Sequence, residues 1–375
     1  MTRVFVVNSG SSSIKFQLID VESEESVLAG SVERIGEPGH PASHTEAVRD
    51  VLASLGDRES IAAVGHRVVH GGSRFAEATL VTPEVETAID ELSALAPLHN
   101  PANLLGIRAV REALPLVPQV AVFDTAFHQS MPAEAYTYAI DRELAAKHGV
   151  RRYGFHGTSH KYVSERAAAF LGRPLESLKL IVLHLGNGAS ITAIDGGKSV
   201  DTSMGLTPLQ GLVMGTRSGD IDPAVLIHLH RVAGLDFDDL DNVLNRQSGL
   251  LGLTGTGDMR DVQLAAAQGD EAAIAALAVW RHRIRHYIGA YVAQLQGVDG
   301  IVFTAGVGEN NSLLRRRALE GLEFLGIQVD FDRNELHVRS ERRISPDAAT
   351  VEVLVIPTNE ELEIARQTLA LVKPT

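Results

Sequence analysis

Apolar and polar positions follow two periods along this chain, and the switches between them outline its elements. Val4-Phe5-Val6-Val7 is a short apolar run that stops at the small-residue turn Asn8-Ser9-Gly10-Ser11-Ser12-Ser13. Ile14-Lys15-Phe16-Gln17-Leu18-Ile19-Asp20 follows. Runs this short, bounded by turn residues, predict buried strands. The pattern returns half a chain later. Leu180 to Leu185 is apolar except for His184, Gly186-Asn187-Gly188-Ala189-Ser190 turns, and Ile191 to Asp195 returns. Both units read strand, tight turn, strand, and both end in Ile-Asp. That echo predicts a duplicated α/β core with a cleft between its halves. A third unit, Gly300 to Thr304, feeds a glycine loop from Ala305 to Asn311 and then a helix from about Ser312. A helix N-terminus offers free N–H groups to phosphate.

Helical periodicity fills the gaps. Thr82-Pro83-Glu84 places a cap, a proline and an acid at the start of a helix whose face is Val85, Ile89, Leu92 and Leu95. Asn100-Pro101 opens another in the same way. The strongest pattern runs from about Ala273 to Gln296, with Trp280, Ile284, Tyr287, Ile288, Tyr291, Val292 and Leu295 on one face and basic residues on the other. A helix is expected from near Ser159. Thr358-Asn359-Glu360-Glu361 reads as a capping box before the last helix.

The chain has 375 residues, which suggests two or three domains. The expected division is 1–150 with 358–375, and 151–357, with the break near His148-Gly149. No apolar run approaches the ~18 residues of a membrane span, and the first strand is too short for a signal peptide. There is no cysteine, so a disulfide, a thiolate nucleophile and a zinc-thiolate site are excluded. A cytoplasmic protein fits. The net charge of −13 and the lack of a basic stripe argue against nucleic acid as a partner. An acidic protein repels anionic substrates, so a site for them must be locally basic.

Five segments carry candidate chemistry. Asn8 to Lys15 combines small residues, hydroxyls and one cation, which suits either a phosphate clamp or a plain serine-rich hairpin. It lacks the spacing of a P-loop. His66-Arg67-Val68-Val69-His70-Gly71-Gly72 sets an arginine before a flexible turn; its histidines lack a third metal ligand. Asp124 ends the apolar run Val120 to Phe123, where side chains of open sheets enter clefts. Arg151 to His160 frames Phe155-His156 with glycines. Met214 to Pro223 holds Arg217 between glycines, a device for fixing a guanidinium against an oxyanion.

These segments, in this order, resemble the signatures of the acetate kinases: Asn8 to Phe16, His66 to Gly72, Phe123 to His128, Tyr153 to His160, His184 to Gly188, Met214 to Pro223, Gly306 to Asn310 and Pro357 to Glu361. The resemblance spans essentially the whole chain. It implies the actin-like, ribonuclease H-like α/β fold shared with Hsp70 and sugar kinases, two domains with ATP in the cleft, and a homodimer. It implies phosphoryl transfer from ATP to acetate, giving ADP and acetyl phosphate, with Mg2+ or alternatively Mn2+. Propionate or butyrate is the alternative acceptor, and a switch ATPase the distant one.

Roles follow motif by motif. Asn8 and Glu360 would hold the metal, and Lys15, Ser11 and Ser13 would face nucleotide phosphate. Arg67 would bind the acetate carboxylate, with Val69, Leu98, Phe155 and Pro208 around its methyl group and His99 nearby. Arg217 and His156 would stabilise the transferring phosphoryl group. Asp124 matches the family's catalytic carboxylate. His184, Leu185, Gly186, Asn187 and Gly188, then Asp258, Met259 and Arg260, then Gly306, Val307, Gly308, Glu309 and Asn310 would hold ATP. Acetate is already ionised at neutral pH, so Asp124 is expected to orient Arg67 or a metal-bound water rather than take a proton. Three departures stand out. Ser73 replaces an expected acid, the surroundings of Asp258 differ slightly, and the stretch from about Gly36 to Ser60 is short for the family.

Overall fold

The computed structural model describes residues 2–54 and 61–372, so part of the short stretch ending at Ser60 lies outside the described residues. The chain packs into two compact units. The first comprises 1–129, 156–162 and 359–375, and the second 130–155 and 163–358.

The first unit is built on six strands: β1 (Arg3–Ser9), β2 (Ile14–Asp20), β3 (Glu25–Val32), β4 (Ile61–Val68), β5 (Thr79–Leu80) and β6 (Gln119–Phe123). Their order is β3-β2-β1-β4-β6-β5. The centre, β1-β4-β6, is parallel, and β2, β3 and β5 run antiparallel to their neighbours. Central parallel strands are covered on both faces, which is why Val4 to Val7 reads as an unbroken apolar run. Successive residues of a strand point to opposite faces. Val64 packs in the cluster that holds Ala109 and Val110 of the helix Asn100–Ala113. Its neighbour Gly65 faces the C-terminal helix, Glu360–Val372. A Cβ on Gly65 would stand 2.5 Å from Thr368 Oγ1 and 2.7 Å from Ile364 Cγ2. Only glycine lets that helix lie so close.

The second unit repeats the plan with β7 (Lys179–Leu185), β8 (Ala189–Asp195), β9 (Lys198–Thr202), β10 (Gly300–Thr304), β11 (Arg342–Arg343) and β12 (Glu352–Val355). Read from its other edge, its order is β9-β8-β7-β10-β12-β11. Each strand has its counterpart six places earlier in number, with β11 and β12 in the edge and inner places of β5 and β6. The pairing senses match as well. The core is duplicated, as the repeated hairpin predicts.

The long helix spans Glu271–Leu295, capped by Asp270 and ended by Gln296 in a left-handed conformation. Trp280, Ile284, Ile288, Tyr291 and Leu295 are buried on it. Tyr287 and Val292 are only half-buried, because the stripe is narrower than the apolar sequence pattern.

Four local expectations change. The expected glycine loop after β10 is a short helix, Ala305–Asn310, and Ser312 starts a second one capped by Asn311. The buried guanidinium of Arg315 donates to the carbonyls of Gly308 and Glu309, which offsets the poor helix propensity of the glycines. The C-terminal helix is capped by Asn359, whose Oδ1 accepts from the Leu362 N–H at 3.0 Å. Thr358 instead donates its backbone N–H to the Glu309 carboxylate. The helix expected near Ser159 begins at Gly157, where the Gly157 N–H finds Asp124 O at 2.8 Å. Asn100 starts its helix without acting as the cap, because its amide is spent on both backbone groups of His70.

Candidate functional site

In the first unit, chemistry collects at the C-terminal ends of β1, β4 and β6. Arg67 is paired with Val122 across β4 and β6, so the residue just beyond β6, Asp124, comes level with the guanidinium. Arg67 Nε donates to Asp124 Oδ1 at 3.0 Å and Nη2 to Oδ2 at 2.7 Å. This parallel fork holds a plane as well as a charge. The Asp124 carboxylate, buried at 2% exposure, raises the guanidinium's already high pKa further, against the effect of burial; Glu360 and Glu361 add to it.

Glu360, the first residue of the C-terminal helix, has a buried Oε1 without a hydrogen-bond partner. Burial pushes its carboxyl up to about 7, against the pull of Arg67 and with Asp124 and Glu361 adding to the rise. A cavity of about 270 Å3 is lined by Asn8, Lys15, Arg67, Glu360 and Glu361, among others. The structure thus brings together the metal pair, the hairpin lysine and the anion-binding arginine expected from sequence. One amide oxygen and one orphaned carboxylate oxygen suit a hard cation such as Mg2+. That ion keeps several waters and needs few protein ligands; among the described residues there is no cluster of three or more His, Asp or Glu that could hold a metal. Ser11 is exposed and Ser13 half-buried on the turn, which closes through a Gly10 N–H to Ser13 O bond of 2.8 Å. Neither lines the cavity.

His156 sits at φ +57, a left-handed conformation rare for a residue with a side chain. The next residue fixes it: a Cβ on Gly157 would come 2.3 Å from Asp124 O. The backbones of His156 and Asp124 are therefore locked together. Val69 is buried, while Leu98 is 53% exposed and His99 is exposed. None of the three lines the 270 Å3 cavity. Phe155 and Pro208 belong to the second unit.

Asn103 escaped the sequence reading. Its Oδ1 accepts from Val69 N–H at 3.0 Å and its Nδ2 donates to Ser9 O at 2.8 Å. It ties the serine hairpin to the strand end that carries Arg67. The available signal was an amide on the apolar face of the Asn100–Ala113 helix.

In the second unit a cavity of about 500 Å3 has the size of a small-molecule site. It collects Leu185, Gly186, Asn187, Asp258, Met259, Arg260, Gly306, Val307 and Asn310. His184, Gly188, Gly308 and Glu309 do not line it. His184 is buried within β7, and Gly188 O accepts from Gly186 N–H to close the turn. Gly308 packs against Phe303 and Leu183, and the Glu309 carboxylate accepts from Thr358 N–H. These four build the wall rather than its surface. Trp280 lines the cavity although periodicity assigned it to the core; Met214, Gly215 and Asn311 are further additions. The exposed Arg260 grips the half-buried Asp258 and holds its carboxyl down at about 2.

The loop bearing Arg217 is pinned to that wall. Gly215 N–H donates to Asn187 O at 3.0 Å, and a Cβ on Gly215 would stand 2.0 Å from Asn187 Oδ1. Arg217 Nη1 donates to Pro208 O at 2.6 Å. Burial lowers its pKa, and among the described residues no acid pairs with it. A partly buried cation held by a carbonyl alone is poised for an anion.

The sequence profile of the acetokinase family matches residues 3–366. A protein of Clavibacter michiganensis named acetate kinase is 64% identical over 392 aligned positions, covering 99% of each chain. The solved structure of Porphyromonas gingivalis acetate kinase superposes with a TM-score of 0.96 at 44% identity and covers 100% of both chains. A propionate kinase from Francisella tularensis does so with a TM-score of 0.93 at 43% identity, covering 99% of this chain and 100% of the other.

Proposed function

Because this chain belongs to the acetokinase family, we propose that it transfers the γ-phosphoryl group of ATP reversibly to acetate, giving ADP and acetyl phosphate. It is a phosphotransferase with a carboxylate acceptor. The observation that carries the residue-level reading is the pair of arginines, one oriented by a buried carboxylate and the other lacking an acid.

Phosphoryl transfer demands positioning and charge stabilisation more than covalent chemistry. Asp124 consumes Nε and one Nη2 hydrogen of Arg67. The guanidinium keeps further N–H groups for the acetate carboxylate. An acetate oxygen attacks Pγ, the bond from Pγ to the β-bridging oxygen breaks, and ADP leaves with that electron pair. No proton moves, so Asp124 acts as a positioning residue. Arg217 and His156 offset the charge on the γ-phosphoryl oxygens. Glu360 and Asn8 would hold Mg2+, with Mn2+ as an alternative, which when bound screens the phosphate oxygens. Lys15, with the hydroxyls of Ser11 and Ser13, is assigned to nucleotide phosphate, and the 500 Å3 cavity to the rest of the nucleotide. Val69, Leu98, Phe155 and Pro208 are assigned to the acetate methyl group, with His99 beside them.

The enzyme is further proposed to be a cytoplasmic homodimer. Among the described residues no helix is long and apolar enough to cross a membrane. The helix Ala224–Ala233 buries none of its side chains although Ile227 and Val232 are apolar, which suits an interface between copies.

Trapping acetyl phosphate with hydroxylamine tests the activity. Acetyl hydroxamate must form with ATP and acetate well above a no-acetate control; equal signals overturn the reading. The propionate kinase similarity favours a second acceptor. One methylene is worth only ~1–3 kcal/mol, so overlapping use of acetate and propionate is expected, and the ratio of their kcat/KM values ranks them.

A further inference from the structure

The second unit holds a further cavity of about 140 Å3, lined by Arg315, Arg339, Arg342, His337, Asn310 and one acid, Glu309, among others. Its basic character is unusual in a protein of net charge −13. Arg315 is only 2% exposed, yet its guanidinium meets neutral acceptors alone. Nη1 donates to Gly308 O and Glu309 O at 2.9 Å, Nε to Asn334 Oδ1 at 2.9 Å and Nη2 to Asn334 O at 2.8 Å. Arg342 donates to Val338 O at 2.8 Å and Glu309 O at 3.2 Å, with a longer bond to Ser340 O, and its buried Nε has no acceptor. Among the described residues neither arginine has an ion-pair partner. The nearby carboxylates make their own contacts elsewhere: Glu309 with Thr358 N–H, Glu335 with the Ser312 hydroxyl, and Glu341 in an ion pair with Arg166. Burial and the neighbouring Arg342 push Arg315 down to about 10. Carbonyl dipoles satisfy hydrogen bonds, and Glu335 and Glu309 act on Arg315 and Arg342 only through space, so neither desolvated cation has a counter-charge in contact.

We propose that this cavity binds a small tetrahedral oxyanion of the inorganic phosphate or sulfate class, held by the guanidinium groups of Arg342 and Arg339 beside the fixed Arg315. Asn310 lines both this cavity and the 500 Å3 one, and Arg315 holds the carbonyls of the helix between them. An anion here steadies that helix and so tightens nucleotide binding. The coupling rests on the nucleotide reading above; the anion site does not.

Isothermal titration of inorganic phosphate into wild type, Arg339→Gln and the Arg339→Gln/Arg342→Gln pair tests the site, with chloride at equal ionic strength as the control. Wild type is expected to bind one equivalent that the double variant loses. In Arg339→Gln alone that equivalent weakens at least about tenfold, since one charge-assisted hydrogen bond goes. Arg339 lies on the exposed rim, so this single variant keeps the test valid should Arg342→Gln fail to fold. Equal isotherms in wild type and Arg339→Gln, or no heat above the chloride control, overturn the site. Titrating ADP with and without phosphate tests the coupling. An affinity gain of about fivefold in wild type that Arg339→Gln lacks supports it, and an unchanged ADP affinity overturns it. Failure of ADP to bind at all counts against the nucleotide reading and leaves the phosphate result standing.

Discussion

Arg67 and Arg217 are the same side chain in opposite electrostatic settings. Arg67 lies in a two-point fork with buried Asp124, which fixes its plane and favours its charge. Arg217 is also partly buried, yet it donates to a single carbonyl, and burial alone acts on its pKa. The first is pre-oriented, with its charge already compensated in part. The second is pre-placed by glycine contacts of its loop and carries an unspent charge. An arginine of the first kind suits a substrate that must be aimed. One of the second kind suits charge that grows during reaction, because its gain is realised where negative charge is greatest.

The sharpest way to break this contrast is Arg217→Ala. It is expected to lower kcat by roughly 10³ or more, on the scale of arginine fingers, with Arg217→Lys recovering little because lysine lacks the planar fork. Steady-state rates within tenfold of wild type would remove Arg217 from the mechanism.

The setting of the first arginine can be unsettled by acid alone. His66 precedes Arg67 on β4, is fully buried against Gln119, and burial lowers its pKa to about 4 despite that hydrogen bond. The unfolded chain binds this proton near pH 6.5 and the folded one only near 4. Stability from this group is therefore complete above pH 6.5 and is lost as pH falls toward 4, by about 3 kcal/mol. Urea unfolding from pH 7 to 4.5 measures it, with His66→Gln expected to flatten that part of the curve. Equal slopes in both proteins would refute the assignment.

Asp124→Asn sharpens the contrast from the other side. With Asp124 as a positioning residue, kcat/KM for acetate should fall roughly 10², mainly through KM, and kcat should keep every ionisation of its wild-type pH profile between pH 6 and 8, with that of Glu360 moved to lower pH because Asp124 helps raise it. A profile that loses an ionisation would make Asp124 a proton acceptor instead.

The smallest effect is expected at Gly65→Ala. The added Cβ meets Thr368 and Ile364 of the helix that carries Glu360. Overpacking of this kind costs about 1–3 kcal/mol. Thermal unfolding should show the loss, and the apparent Mg2+ requirement should rise as Glu360 shifts. An unchanged Mg2+ dependence would uncouple the helix seat from the metal.

The amino-acid sequence by itself determined the duplicated core and the segments that carry the chemistry. Continuous apolar runs, small-residue turns and the Ile-Asp echo are local signals, and two copies of them imply two copies of the sheet. Sequence also placed Arg67 and Arg217 beside glycine turns and Asp124 at the end of an apolar run, whereas Glu360 read by itself as a helix-start acid and drew attention only through the family resemblance. What it did not decide were the partners. That Asp124 grips Arg67 depends on β4 and β6 being parallel neighbours in register. That Asn103 bridges Ser9 and Val69 depends on a helix crossing the ends of two strands. The conversion of an expected glycine loop into the helix Ala305–Asn310 required Arg315, which reaches its carbonyls through the fold. Propensity is a short-range quantity worth at most about 1 kcal/mol per glycine, and hydrogen bonds from a buried guanidinium outweigh it. Such bonds join residues that only the tertiary structure brings together.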